Sequence, residues 1–395
     1  MKLKETVCYN SDASRIVGKA EKVFFPKNVE EVQQIIKTTN LDIVPRGAGS
    51  GLMGGCVPNS SVVVDLSKMN NVSEFKFKER SVRVGAGVTI KELNEKLNQV
   101  GFEFPIKINN PVATIGGAVA LNSFGEYGLK YGSIKEWIEE VEFVNGRGEL
   151  MKTTKADVSD VCGMEGTTGI ICSVTLRVIP KVNKSISLFQ SDNLEEVFSI
   201  ARRLKLEKEV IMMELFPPMV SKLLGFPETY NLVIEFGSER GKIRGKEYDE
   251  LLKAKDKVFS VMFSQEYYNV DDPKFFFDKV RDFISFLDLN EIPYVSYLGA
   301  GIVHPFFKDF EKNKKNAVVD FIKKSRAKVS KFGIGSVRKE FLDSFEKKVI
   351  ERVKLRHDPF GKLNKGKLID VDAHEKRLGV VGSEVKKVKS GFGGG

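Results

Sequence analysis

Cysteine is scarce in this chain and never occurs as a closely spaced pair. The 395 residues include four cysteines, Cys8, Cys56, Cys162 and Cys172, and no C-x-x-C motif. Iron–sulfur clusters and structural zinc sites depend on closely spaced thiolates. The sequence therefore argues against such a site within this chain and favours reduced thiols, as in a cytoplasmic protein.

Long apolar runs are also missing. No run reaches the roughly 18 apolar residues that a membrane-spanning helix needs. The opening residues, MKLKETVCYN, lack the apolar segment of a signal peptide. We therefore expect a cytoplasmic protein, bound to a membrane only peripherally and through a partner.

The charge is unbalanced towards lysine and arginine, with a formal net charge of +10. Such a balance suits polyanions, anionic lipid or an acidic partner protein. The usual nucleic-acid-binding motifs are absent, so we expect no nucleic-acid role. At 395 residues and 42% hydrophobic content, the chain can bury a sizeable core and fits two or three domains.

Glycine, by contrast, is concentrated beside predicted strands. The first glycine segment (residues 46–56) holds five glycines within nine residues, next to Arg46. Because glycine costs chain entropy, this density needs a reason. Backbone N–H groups without side chains can close around a phosphate, and this is the function we infer. A plain surface turn is the alternative.

Read literally, Gly49 to Gly54 spells G-x-G-x-x-G, the pattern of a Rossmann loop. A Rossmann loop must open a helix whose N-terminus holds the pyrophosphate. Here Pro58 follows instead, and VVVDL then reads as a strand. The order strand, glycine loop, strand indicates a different nucleotide-binding fold.

Two further clusters follow the first. The second glycine segment (residues 113–132) contains Gly116 and Gly117, and the third glycine segment (residues 162–170) leads from Gly166 and Gly169 into a strand. Taken alone, the second could be a tightly packed helix start. Together, the three indicate walls of one extended cofactor groove.

Local signals give the remaining elements. The opening reads β-α-β with Asn28 capping the helix; a second helix starts at Thr89 with Glu92 in a capping box and ends before Gly101. Alternating residues predict strands around EFKFKE and SVRVGAGV, and Asn145-Gly146 indicates a hairpin. After Pro180 glycine becomes sparse, and the pattern indicates a second, α+β domain.

Four motifs in this order resemble the FAD-linked oxidases of the vanillyl-alcohol-oxidase (PCMH-type) superfamily, and most closely the glycolate oxidase / D-lactate dehydrogenase flavoprotein branch. The motifs are PRGAGSGLMGG, ATIGGAVALNSFGEYGLKYG, GMEGTTGII and DPFGKLNKGKL, the last with Lys365 where the family has proline. The match covers about residues 20 to 182 and 331 to 369.

The resemblance implies an α+β fold with a two-subdomain PCMH-type FAD-binding domain and an α+β cap domain that carries an antiparallel sheet. On this basis we expect the FAD-binding domain at 1–182, the cap at 183–330, a C-terminal segment at 331–380 that returns to the FAD domain, and a flexible basic tail at 381–395.

The resemblance also implies a set of FAD-binding residues. They are Arg46, Gly47, Ala48, Gly49, Ser50, Gly51, Gly54 and Gly55 for the pyrophosphate; Thr114, Gly116, Gly117 and Asn122 on the flavin side; Glu165, Gly169 and Ile170 through backbone groups; and Asn364 and Lys367 beside the isoalloxazine. Relatives that tether the flavin place a histidine where this chain has Ser50, so we expect non-covalent FAD.

The match fails at the family's metal and base motifs in the cap, H-x-G-D-G-N-x-H and E-H-G-I-G. This chain reads YLGAGIVH and KFGIG there, and of the usual ligands only His304 remains. A divalent cation needs three or four donors, so we expect no metal. The candidates for catalysis are then His304 as base, with Lys331 or Arg338 pairing with a substrate carboxylate.

Three functions remain open. The first is an FAD-dependent oxidoreductase that dehydrogenates a 2-hydroxy acid or related small acid or alcohol by hydride transfer. The second is an FAD-bearing electron-relay subunit of a multi-subunit dehydrogenase, and the third is a degenerate, non-catalytic scaffold. The family often works beside an iron–sulfur or membrane subunit, so we expect homo- or hetero-oligomers.

Overall fold

The N-terminal half (residues 6–182) opens with a three-stranded parallel sheet in the order β1-β3-β2. The computed structural model describes residues 6–73, 75–329 and 332–370. The elements of this first subdomain are β1 (Lys19–Phe24), α1 (Val29–Thr38), β2 (Ile43–Arg46) and β3 (Asn59–Asp65). β2 and β3 pair in parallel although only the glycine-rich loop 47–58 joins them. The prediction that no Rossmann helix follows this loop is confirmed.

The second subdomain is built on an antiparallel sheet in the order β4-β8-β6-β7. Its strands are β4 (Ser81–Gly85), β6 (Ile138–Asn145), β7 (Leu150–Thr154) and β8 (Gly169–Arg177), with β5 (Phe102–Glu103) paired to β9 (Ile179–Pro180) outside it. The helices are α2 (Ile90–Gln99), α3 (Ile115–Ala120) and α4 (Gly128–Tyr131). One apolar core, from Val32 of α1 to Val178, fills the space between both subdomains.

The helix starts predicted at Asn28 and Thr89 are confirmed. The Thr89 side chain accepts a hydrogen bond from the backbone N–H of Glu92, and the Glu92 carboxylate accepts from the backbone N–H of Thr89, so the capping box is complete. Ile90, Leu93 and Leu97 of this helix are buried, each contributing about 1.5–3 kcal/mol of burial free energy. Asn28 caps α1 through the N–H of Glu31.

The expected strand around EFKFKE is wrong. Within its described residues, only Lys76 bridges to Ser81, and residues 77–80 form a turn. The alternating Phe75 and Phe77 pack against Phe102 in tilted and edge-on arrangements, at ring-centroid distances of 4.5 and 6.2 Å, instead of lying on a sheet face. Aromatic packing therefore accounts for the alternation that suggested a strand.

The cap (residues 183–330) is organised around an antiparallel sheet, in which the described residues form eight strands in the order β10-β12-β11-β15-β16-β14-β17, with β13 beside β16. The strands are β10 (Ser185–Ser191), β11 (Val210–Phe216), β12 (Tyr230–Phe236), β13 (Asn269–Val270), β14 (Pro273–Lys274), β15 (Tyr294–Tyr297), β16 (Ile302–Phe307) and β17 (Lys328–Val329). Together with the parallel sheet, this large sheet confirms the expected α+β class.

Helices cover both faces of the cap sheet. They are α5 (Leu194–Leu204), α6 (Pro218–Leu223), α7 (Gly245–Lys255), α8 (Val258–Ser264), α9 (Phe277–Leu289) and α10 (Lys312–Ser325). Helices α5, α9 and α10 pack on one face. The other face packs against α6, α7 and α8, and against Tyr127 and Leu52 of the N-terminal half. This second face is therefore the one that meets the glycine segments.

The C-terminal segment (residues 331–380, described over 332–370) returns to the N-terminal half. It contains α11 (Ser344–His357), which a capping box of Asp343 and Glu346 begins. Leu363 enters the core of the N-terminal half and bridges in parallel to Ile43 of β2. Residues near the end of the described chain therefore share one core with the N-terminal half.

A buried ion-pair cluster joins the cap to the N-terminal half. The Nζ of Lys255, at the end of α7, lies 2.9 Å from carboxylate oxygens of Glu126 and Glu214, and all three side chains are 0% exposed. The Nζ of Lys107 lies 3.1 Å from Glu126 as well. Removing Lys255 would leave the buried carboxylates of Glu126 and Glu214 without their counter-ion, so this lysine joins the cap to the N-terminal half.

Across the described residues, no helix combines the length and the apolar character needed to cross a membrane.

Candidate functional site

The three glycine segments line one cleft, which also contacts the cap. It holds about 1630 Å³ of space free of protein atoms, its open mouth included. Residues of β2, of the three glycine segments and of Ile108–Asn110 form most of its wall, and Phe259 and Phe263 of α8 and Phe332 close the cap end. Because its wall comes from three separate segments and from the cap, the cleft suits an extended ligand that contacts all of them.

The glycines of the cleft have two different roles. A Cβ on Gly51 would meet no protein atom within 4 Å, so this position leaves room for a ligand to approach the backbone. A Cβ on Gly47 would lie 2.3 Å from the Oγ1 of Thr114, and one on Gly116 would lie 2.7 Å from the Cβ of Ala86. Gly47 and Gly116 thus allow the walls to pack closely against their neighbours.

Positive charge lies at the first glycine segment. Arg46 is held in place because its Nη1 donates to the carbonyl of Ser11 at 2.9 Å and its guanidinium lies 5.3 Å from the centre of the Tyr9 ring. Lys367 lies in electrostatic range of Asp12 and Cys56, and burial lowers the pKa of its ammonium. Arg46 lines the cleft beside the glycine-rich backbone, and this combination suits a pyrophosphate.

The Cys56 thiol lines the same part of the cleft. Burial and, to a smaller extent, the Asp12 carboxylate 3.5 Å away raise the pKa of this thiol to about 12. A thiol in this state is protonated near neutral pH and is a poor nucleophile.

Glu165 and Asn364 form hydrogen bonds that connect the C-terminal segment to the walls of the cleft. The Glu165 carboxylate accepts hydrogen bonds from the backbone N–H groups of Ile334 at 2.6 Å and Gly335 at 2.8 Å. Burial raises the pKa of Glu165, and these N–H groups oppose the rise. The Nδ2 of Asn364 donates to the carbonyls of Gly55 and Glu165, at 2.8 and 2.7 Å. The C-terminal segment therefore joins the first and third glycine segments.

Most of the sequence-predicted cofactor residues line this cleft. They are Arg46, Gly47, Ala48, Gly49, Ser50, Gly51, Gly55, Thr114, Gly116, Gly117, Glu165 and Gly169. A second group lies behind the wall and comprises Gly54, Asn122, Ile170, Asn364 and Lys367. The structure thus gathers all three predicted segments at one place.

The residues behind the wall have local partners. The Oδ1 of Asn122 accepts from the backbone N–H of Lys135 at 3.4 Å, and Ile170 is a core side chain of β8 with 0% exposure. A Cβ on Gly54 would lie 2.7 Å from the Oγ of Ser336. Their contribution to the cleft is indirect, through the position of the segments.

His304 lies in the cap behind the aromatic end of the cleft. It is 0% exposed, its Nδ1 lies 3.2 Å from the carbonyl oxygen of Asp271, and its ring centre is 5.6 Å from that of Phe259 and 5.2 Å from that of Phe332. Both phenylalanines line the cleft, whereas His304 does not. One layer of rings therefore separates the imidazole from the cleft.

Arg338 is engaged in a buried ion pair. Its guanidinium bonds to the carboxylate of Asp272 and, at 2.5 Å, to that of Asp271, while Asp272 also accepts from the N–H of Phe332 at 2.6 Å. Burial raises the pKa of Asp272, and Arg338 opposes the rise. Arg338 thus ties the C-terminal segment to the cap and does not line the cleft. Lys331, the third catalytic candidate, lies outside the described residues.

Within the described ranges, no group of three or more histidine, cysteine, aspartate or glutamate side chains is placed to hold a metal ion.

Sequence reasoning missed the residues that close the cap end. Phe259 and Phe263 lie one helical turn apart on α8, in a stretch to which no element had been assigned. Their i, i+4 spacing in VFSVMFS is the signal that indicates an apolar helix face. The side chain of Asn109 was also missed; its buried Nδ2 lines the cleft without a hydrogen-bond partner among the described residues. Such a donor, together with the open space at Gly51, fits a polar cofactor such as FAD.

Comparison with known proteins agrees with this geometry. Residues 20–154 match the model of a family described as FAD binding domain. The chain is 32% identical over 204 residues to the D-lactate dehydrogenase of Anaerostipes hadrus, which is 48% of this chain and 43% of that protein. It is 30% identical over 204 residues to the D-2-hydroxyglutarate dehydrogenase of Xanthomonas citri pv. viticola, covering 47% and 43%. It is 29% identical over 188 residues to the glycolate oxidase subunit GlcD of Bacillus subtilis, covering 44% and 40%. The chain spans less than half the length of these relatives.

Proposed function

We propose that this protein, whose residues 20–154 match the FAD binding domain family, is an FAD-dependent oxidoreductase that dehydrogenates a small 2-hydroxy acid. The observation that supports the proposal most strongly is the convergence of the three glycine segments on one cleft that the cap closes. The names of the relatives, D-lactate, D-2-hydroxyglutarate and glycolate enzymes, suggest the substrate class.

The chain's own residues have three tasks in this proposal. Arg46 and the N–H groups of the first glycine segment hold the pyrophosphate, the phenylalanines at the cap end exclude water, and the cap positions the substrate. FAD, when bound, supplies the chemistry by accepting a hydride and passing the electrons on. Excluding water strengthens each electrostatic contact with a charged substrate.

We propose that FAD is held without a covalent bond. Ser50 stands where tethering relatives of the resembled superfamily have histidine, and the Cys56 thiol is protonated because its pKa is raised to about 12. Acid precipitation should therefore release all of the flavin into the supernatant. Flavin that stays with the pellet would contradict this part of the proposal.

One observation favours the electron-relay alternative. Neither His304 nor Arg338, the two described catalytic candidates, lines the cleft. In the relay function, a partner would reduce the flavin, and an iron–sulfur or membrane subunit is the partner class that we propose. The basic residues 381–395, outside the described residues, would dock an acidic partner of this kind in the cytoplasm. An unchanged complex after their deletion would refute that docking.

The deciding experiment is anaerobic titration of the purified holoprotein with D-lactate, glycolate, D-2-hydroxyglutarate and matched alcohols, with loss of flavin absorbance as the readout. Bleaching by one of the acids supports the dehydrogenase. If no compound bleaches the flavin but a co-purifying subunit does, the relay function is supported. A colourless protein that cannot be reconstituted with FAD would refute both, and repeating the titration with EDTA tests the expectation of no metal.

A further inference from the structure

Lys274 places a cation one aromatic ring away from the cleft. It belongs to β14, where its backbone pairs with Ile302 of β16 and Lys328 of β17. Its Nζ lies 3.8 Å from the centre of the Phe124 ring, and Phe124 lines the cleft. Lys274 comes from the cap and Phe124 from the second glycine segment, so the contact crosses the boundary between the cap and the N-terminal half.

The charge of this ammonium is not neutralised in the described part of the chain. No carboxylate there lies within 4.0 Å of its Nζ, in contrast to Lys107, Lys255 and Arg338, which all form ion pairs at the same boundary. Burial lowers the pKa of Lys274, and no carboxylate opposes that effect. A phenyl face stabilises a cation less than a carboxylate does, so the site favours an anion that arrives from outside.

We infer that Lys274 binds the carboxylate of the substrate at the cap end of the cleft. The inference rests on the proposed function, and it gives to Lys274 the role that the sequence had suggested for Lys331 or Arg338. Neither Arg338 nor Lys274 lines the cleft itself. Arg338 is held between two carboxylates, whereas no carboxylate in the described part of the chain holds the ammonium of Lys274. The inference requires the Lys274 side chain to turn from the Phe124 ring towards the cleft.

The site defines a ligand class. A 2-hydroxy monocarboxylate would place its charge on Lys274 and its hydroxyl-bearing carbon over the cleft, and an uncharged ester or alcohol would lose the charge contact. Lys274 is therefore a specificity-determining residue that separates acids from their neutral analogues.

The test uses FAD-loaded wild type, Lys274→Met, Lys274→Arg and Lys205→Met. Lys205 is the matched control, because it too is a partly buried lysine over a ring, 4.4 Å from the centre of Phe277, and burial also lowers its pKa, yet it packs on the far face of the cap. The probe is oxamate, a non-reducing carboxylate, and the readout is the dissociation constant obtained from its perturbation of flavin absorbance. A thermal melt of each holoprotein confirms folding.

We expect Lys274→Met to weaken oxamate binding by about 10- to 100-fold, the range for a lost hydrogen bond to a charged group. Lys274→Arg should retain most of the affinity, and Lys205→Met all of it. With a bleaching acid, Lys274→Met should raise KM and leave the limiting rate nearly unchanged, and it should remove the preference for acid over methyl ester. Equal oxamate binding by wild type and Lys274→Met, or no perturbation of the wild-type spectrum, would overturn the inference.

The two proposals can fail separately. Oxamate binding that depends on Lys274, without bleaching by any acid, would retain the anion site and refute the dehydrogenase. Bleaching by an acid with the same KM in wild type and Lys274→Met would retain the dehydrogenase and refute the anion site.

Discussion

The N-terminal half and the cap build their parts of the cleft in opposite ways. The N-terminal half presents mostly backbone, in three segments where glycine keeps side chains away. The cap presents phenylalanine rings and has its charged groups paired, Asp271 and Asp272 with Arg338 of the C-terminal segment and Glu214 with Lys255.

The difference shows how the two halves divide the work. Backbone N–H groups bind phosphate with little dependence on neighbouring side chains, so the cofactor wall tolerates change around it. Buried ion pairs depend on every partner, because loss of one leaves the other charged in an apolar environment. The cap should therefore be sensitive to single charge changes, and the glycine wall to added volume.

The largest effect should follow Arg338→Met. The substitution leaves Asp271 and Asp272 buried without their counter-ion, and we expect a loss of about 3–5 kcal/mol in the free energy of unfolding. Denaturant unfolding of the cap measures it. Replacing both aspartates by asparagine in the same chain should restore part of the loss. A single variant as stable as wild type would show that Arg338 is available to substrate after all.

A pair of glycine substitutions tests the other side of the comparison. Gly116→Val places a Cβ 2.7 Å from the Cβ of Ala86, and overpacking of this kind should destabilise the protein by about 1–3 kcal/mol. A Cβ at position 51 would meet no protein atom within 4 Å, so the Gly51→Val apoprotein should melt like wild type, while its affinity for FAD falls by about tenfold or more. Melting of apoproteins and FAD titration measure the two effects. Equal FAD affinity in wild type and Gly51→Val would place Gly51 outside the cofactor contact.

Glu214 should make the stability of the cap depend on pH. Burial raises the pKa of its carboxyl from 4.5 to about 7, and Lys255 opposes the rise. Because the folded state favours the protonated acid, the stabilisation is present at acidic pH and is lost as the pH rises through about 7. Glu126, Asp256 and Lys255 face the same carboxyl.

Glu214→Gln removes this titration and leaves Lys255 paired with Glu126 and Asp256. Relative to wild type, the variant should gain about 1–2 kcal/mol between pH 5 and pH 8. Melting temperatures across that range, with Glu250→Gln on the exposed face of α7 as control, measure the gain. Parallel pH profiles of wild type and Glu214→Gln would contradict the prediction.

The smallest effect should follow Arg15→Ala. Arg15 joins the N-terminal segment to the cap through Asp309 at 3.3 Å and the Tyr268 ring at 4.2 Å, and both charged side chains are more than half exposed. Exposed pairs contribute about 0–1 kcal/mol, so stability should change little. FAD release, followed by fluorescence, should accelerate only a few-fold, and not at all in Lys246→Ala. A large change would mean that the N-terminal segment controls access to the cleft.

The cofactor wall could be predicted from the sequence because its physical requirement fixes residue type. The backbone at Gly47 and Gly116 lies so close to its neighbours that only glycine fits there. This requirement appears in the sequence as a local cluster of glycines. The capping box at Thr89 and Glu92 and the strand after Pro58 are equally local, which is why the rejection of a Rossmann loop is confirmed.

The cap could not be predicted to the same depth, because its roles depend on contacts between distant residues. Nothing local to Arg338 indicates that Asp271 and Asp272 surround it, or that Phe259 and Phe332 stand between His304 and the cleft. The sequence does not distinguish Lys274 from the other lysines, because its contact with the Phe124 ring exists only in the folded protein. The motif that the family uses for chemistry had also changed here, so resemblance gave no guide.

The bridge from Leu363 and Asn364 back to the first strands has a consequence for biosynthesis. The strand β2, the carbonyl of Gly55 and the third glycine segment precede the cap in the chain, yet the residues that bond them together follow it. Domains generally fold in the order of their synthesis. The ribosome must therefore deliver the whole cap and the segment up to Asn364 before these contacts can form.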